Sequence, residues 1–192
     1  MRNSQILKSF LATALFSSAL CANAADDSVV VNVSGSITTA TCTIAASDVN
    51  KTINIPVSLA NDLQNASKLT PVYFSFGISN CDSSKTNAVA TVAAATVASD
   101  VSGYGSNSVI ANTGSATNVG IGLIGATSVG ATPSGPLPVG TQSAAATLTQ
   151  VGGLSTTSGT LYLGAQVVPL SKAVSSGAGS VTGTATVTFT YS

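Results

Sequence analysis

Residues 183–192 read GTATVTFTYS. Gly183, Ala185, Val187, Phe189 and Tyr191 alternate with Thr184, Thr186, Thr188 and Thr190. Successive side chains of a strand point to opposite faces, so this stretch predicts a β-strand with one apolar face and one threonine face. Bulk rises along the apolar face, and the two largest side chains come last. A chain end frays unless something holds it, so a strand of this kind requires a neighbour.

A second alternating strand lies near the other end of the chain. Val29, Val31, Val33, Gly35 and Ile37 share one face, while Val30, Asn32, Ser34, Ser36 and Thr38 share the other. What precedes it has the form of a secretory signal. Arg2 and Lys8 precede a short apolar run over 10–20, and Ala22-Asn23-Ala24 satisfies the small-residue cleavage rule. The run is too short to span a bilayer. Residues 1–24 are therefore expected to be a signal peptide, with cleavage after Ala24 or Ala25. Removing 24 residues from 192 leaves 168, a comfortable length for one domain.

That mature chain keeps four lysines and six aspartates. Nothing in the balance attracts nucleic acid or an anionic membrane. Charged residues make up 6% of the whole chain, and hydrophobic ones 44%. Disorder goes with the opposite combination, so an ordered, weakly charged, threonine-rich β protein is expected. Cys21 leaves with the signal, and Cys42 and Cys81 remain. In an oxidising compartment two remaining cysteines pair, the alternative being two buried thiols.

Between the terminal strands the pattern is a series of short strands. They are expected over 51–59 (with Pro56 suited to an edge), 72–81, 88–97 (alanine-rich enough to leave a helix open), 109–110, 118–124, 144–151 and 161–169. A helical turn is expected over 60–67 and a proline-bearing loop over 125–140. No repeat or composition break marks a second domain. Short strands separated by turn signals predict an all-β sandwich.

Catalytic chemistry has little to work with. The chain contains no histidine and its acidic residues are all aspartate, which excludes a Ser-His-Asp or Cys-His nucleophile and an imidazole metal site. Asp62, Asp82 and Asp100 are scattered through turn-rich segments. Gly120, Gly122 and Gly125 imitate a nucleotide loop but lie inside a strand pattern. No enzyme activity and no cofactor are expected.

Four stretches, taken in order, carry a family likeness. They are Gly35 followed seven residues on by Cys42, LTPVYFSFGISNCD at 69–82, GSATNVGIGL at 114–123, and the alternating end with penultimate Tyr191. Together they resemble the major structural subunit of type 1 fimbriae, assembled by the chaperone–usher route, over essentially all of the mature chain. The resemblance implies an incomplete immunoglobulin-like sandwich that lacks its last strand and is completed by donor-strand exchange. It implies three parts: the signal over 1–24, a donor extension over 25–36 and the pilin domain over 37–192. Val29, Val31, Val33, Gly35 and Ile37 would be the donor positions. Ala185, Val187, Phe189 and Tyr191 would line the acceptor groove, and the Ser192 carboxylate would anchor a chaperone.

The partners implied are identical subunits in a filament, a periplasmic chaperone and an outer-membrane usher, with the product secreted through the periplasm to the cell surface. The physics is consistent with that reading, since an unpaired apolar edge recruits a strand whose alternate side chains fill pockets. A lone chain is expected to leave its groove open. Two departures stand out: Asp26 and Asp27 near the start of a short donor segment, and Val167-Val168-Pro169 where an aromatic strand end is usual. A minor or tip subunit with carbohydrate-binding activity is the alternative.

Overall fold

The computed structural model describes residues 28–35, 42–56, 63, 65, 69–127, 134–173 and 175–192. The expected signal sequence over 1–24, Ile37, Asp26 and Asp27 lie outside these residues, as does most of the expected helical turn over 60–67. The first strands are β1 (Ser28–Gly35), β2 (Thr43–Ile44), β3 (Lys51–Pro56) and β4 (Val72–Asp82). A 3-10 turn, Ala46–Asp48, links β2 to β3. Then follow β5 (Asn87–Ala94), β6 (Thr96–Ser99), β7 (Gly105–Ala111), β8 (Val119–Ala126) and β9 (Gly135–Leu137). The set ends with β10 (Ala146–Thr147), β11 (Thr149–Gln150), β12 (Thr156–Pro169) and β13 (Thr182–Tyr191).

Two sheets face one another. One has the order β10-β5-β13-β1-β3, and the other β2-β4-β12-β8-β7-β6, with β9 added on β8 and β11 on β12. The alternation read from the sequence sorts the side chains between them. Phe74, Phe76 and Ile78 of β4, Leu161 and Leu163 of β12, Val92 of β5 and Ala185 and Val187 of β13 are buried in one core. Ile53 and Ile55 of β3 join it. Cys42 and Cys81 form a disulfide that ties the start of β2 to the end of β4. The chain is thus an all-β sandwich.

Two expected strands change sheets partway. The alanine-rich stretch is strand and not helix, but it divides: β5 pairs with β13 in the first sheet, and β6 pairs with β7 in the second. The expected strand over 144–151 divides likewise, β10 on β5 and β11 on β12, with Leu148 buried at the crossing. In the first of these crossings the buried positions change phase, from Ala88, Ala90 and Val92 of β5 to Ser99 of β6.

The expected loop over 125–140 contains β9, which bonds to β8 through Gly135, Pro136 and Leu137. Pro136 is tolerated because β9 is short and lies off the main sheet path. The expected strand over 161–169 begins earlier, at Thr156. Its Ser/Thr/Gly start reads as turn, yet it pairs with β4 through a bulge between Thr157 and Gly159. The short strand expected at 109–110 extends over all of β7.

The glycine pattern of β8 also finds its reason. All eight residues of β8 are buried, because a second layer covers the outer face of its sheet. Val101, Tyr104, Val109 and Val168 form a small cluster there. A Cβ on Gly122 would lie 2.6 Å from the Tyr104 ring, so glycine is what admits that ring. The seated Tyr104 hydroxyl donates to the Leu123 carbonyl at 2.6 Å.

Candidate functional site: the slot between the third and last strands

The sandwich has a long slot between β3 and β13, and β1 lies in it. β1 runs parallel to β13, with Val31 opposite Gly183, Val33 opposite Ala185 and Gly35 opposite Val187. It runs antiparallel to β3, with Val29 opposite Ile55, Val31 opposite Ile53 and Val33 opposite Lys51. On the outer face, the Thr52 hydroxyl donates to Asn32 Oδ1 at 3.1 Å. The expectation that a lone chain leaves this slot open is therefore corrected. The chain's own first strand bonds to both walls, because a strand of matching alternation is already tethered beside them.

The candidate residues divide accordingly. Val29, Val31, Val33 and Gly35 occupy successive odd positions of β1, and Ile37 lies outside the described residues. Of the groove residues, Ala185 and Val187 are 2% and 1% exposed and stand beside β1. Phe189 and Tyr191 lie beyond the last pairing of β1 with β13, at Gly35. On their other side they pair with Ala90 and Ala88 of β5. Both are half-buried, and the Phe189 ring meets Phe76 edge-on at 5.2 Å. Burial pushes the Tyr191 phenol above its ordinary pKa.

Ser192 has partners of its own. Its main-chain oxygen accepts the Thr86 N–H at 2.7 Å and the Asn87 N–H at 2.9 Å, and its N–H donates to the Asn87 carbonyl at 3.0 Å. The end of β13 is thus stitched to the turn between β4 and β5, which answers the fraying that the bare sequence raises.

Two residues at the other wall of the slot escaped the sequence reading, which counted them only as charges. Asp48 and Lys51 form an ion pair at 2.6 Å, with their side chains 11% and 21% exposed. Asp48 Oδ2 accepts the Gly77 N–H at 2.7 Å, and Lys51 Nζ donates to the Ser75 carbonyl at 2.5 Å. Lys51 also stands 5.5 Å from the centre of the Phe76 ring. The available signal was opposite charge at a spacing of three beside the first residue of an alternating strand.

An all-β sandwich with a slot along its last strand is consistent with a fimbrial subunit, and a direct comparison shows the family. Residues 31–192 match the family described as Fimbrial protein. The chain belongs to that family. No curated protein matches it significantly. The match begins inside β1 and runs through β13, so it takes in most of the filling strand and both walls of the slot. As a fimbrial subunit, the chain is a component of a cell-surface appendage. No helix among the described residues of the fimbrial subunit is long and apolar enough to cross a membrane. Among the same residues, no three metal-ligating side chains are grouped to hold an ion.

Proposed function

We propose that this protein is a structural subunit of a bacterial fimbria, and that it polymerises by placing its β1 in the slot of a neighbouring copy. One observation carries the reading: among the described residues, the strand that fills the slot is the first of the fold and pairs with both walls. No other described strand lies N-terminal to it, so it can be withdrawn and replaced without unthreading one. β3 and β13 then lose a shared partner, and their free backbone groups and apolar faces favour an equivalent strand from elsewhere.

In this reading the parallel β1 of the lone subunit is a stored state, and a periplasmic chaperone and an outer-membrane usher manage its exchange. Adhesion is served by the filament and not by a catalytic site. The subunit is taken as a major structural one, with Val29, Val31, Val33 and Gly35 of the extension over 25–36, and Ile37 next after it, as donor positions. The wall formed by Ala185, Val187, Phe189 and Tyr191 receives them, and Ser192 engages the chaperone after release from Thr86 and Asn87.

Electron microscopy of cells with and without the gene tests the filament. A Val31→Asp/Val33→Asp variant is expected to be secreted yet to extend no filaments. Filaments of wild-type length from that variant would overturn the donor role.

A further inference from the structure

We propose that the Asp48–Lys51 pair holds β3 in place while β1 is away, and thereby keeps the slot open to a replacement strand. The proposal rests on the strand-exchange reading above. In its sheet β3 is an edge strand, and its ladder partner among the described residues is β1. Departure of β1 leaves β3 with no ladder in that sheet, so its remaining ties must run to the opposite one.

Those ties are visible. Ile53 and Ile55 are 6% and 1% exposed in the common core. At the start of β3, Lys51 grips the Ser75 carbonyl and Asp48 grips the Gly77 N–H, while the two side chains hold each other. Ser75 and Gly77 belong to β4, which β2 pairs only at Ile78 and Ser79. The Ala45 N–H then reaches the Gly77 carbonyl at 3.0 Å. Beyond that point, side chains continue along the β4 edge where the backbone of β2 has turned away.

None of these atoms belongs to β1, so the clasp persists when β1 leaves. Because the pair is partly withdrawn from water, salt screens it less than a surface pair. An unfilled apolar wall on β13 draws any loose neighbour over it. A β3 freed at Lys51 would be that neighbour, and its collapse onto β13 would close the slot. Asp48 and Lys51 are thus positioning residues for the exchange.

The test uses the purified, oxidised full chain and a fluorescent peptide of residues 26–38. Two rates are measured on each protein: opening of β1 by amide hydrogen exchange, and uptake of the peptide. Wild type is compared with Asp48→Asn, Lys51→Met and the conservative Lys51→Arg. In Asp48→Asn and Lys51→Met, uptake per opening event is expected to fall by about tenfold, with β1 opening as fast as before or faster. Lys51→Arg is expected to restore it. If Lys51→Met does not fold, Asp48→Asn carries the comparison, since the amide can still accept the Gly77 hydrogen bond.

Uptake per opening equal to wild type in the folded variants overturns the clasp alone. A wild-type chain whose β1 opens but which takes up no peptide overturns the strand-exchange reading, and the clasp's role with it.

Discussion

The Phe189 ring meets the Phe76 ring edge-on, with centroids 5.2 Å apart and planes 70° apart, and so joins the last strand to the opposite sheet. Phe76 receives Phe74 edge-on as well, at 5.7 Å, and has Lys51 over its ring. The far end of the slot is therefore built around one buried ring touched from three sides.

Phe189→Ala removes a half-buried ring from that cluster. The expected loss is about 2 kcal/mol, less than for a fully buried phenylalanine. Thermal unfolding should show a fall of roughly 4–8 °C. An unchanged midpoint would mean that the contact does not hold the end of β13.

The Cys42–Cys81 disulfide closes a loop with a sequence separation of 39. In the chain-entropy account, a closure of this size stabilises by about 4 kcal/mol. Cys42→Ser/Cys81→Ser should unfold at correspondingly lower denaturant concentration. Reduction of the wild-type chain should reproduce the shift, which distinguishes loss of the cross-link from loss of the sulfur atoms.

Gly122→Ala would place a methyl group 2.6 Å from the Tyr104 ring. Overpacking of this kind is expected to cost about 1–3 kcal/mol. Combined with Tyr104→Ala, the same change should cost much less than alone, because the ring it strikes is gone. A double-mutant cycle measures that coupling, and strict additivity would refute it.

Burial pushes the Tyr104 phenol well above its ordinary value, against a smaller opposing effect of its hydrogen bond with Gln166. The folded state thus holds this proton after the unfolded state, with a phenol pKa of about 10, has released it. Its contribution to stability is fully present below that pH and declines as the pH rises above it. Equilibrium unfolding from pH 8 to pH 11 should show the decline, and Tyr104→Phe should flatten it. A variant with the same alkaline slope would locate the effect in other groups, with half-buried Tyr191 the first to examine.

Much of this was legible in the residues themselves. Threonine alternating with Ala, Val, Phe and Tyr defined β13 and its buried face, since side-chain direction in a strand follows from sequence position alone. The same rule defined β4 and the course of β1, and the cysteine count, read with an expected signal sequence, anticipated the disulfide. Partners are another matter. Nothing in a period of two tells β5 from β6 at the point where the chain crosses between sheets. Nor does it tell that Asp48 and Lys51, read as ordinary charges, reach Gly77 and Ser75 of a strand more than twenty positions away.

The amino-acid order by itself determined that this chain makes β-strands, which of their faces are apolar, and that its first and last strands are matched in character. Only the tertiary structure decided that β1 lies in its own slot, parallel to β13 and against β3. Alternation sets which way each side chain points, whereas strand choice and direction depend on which backbone edges the folded sandwich leaves unpaired.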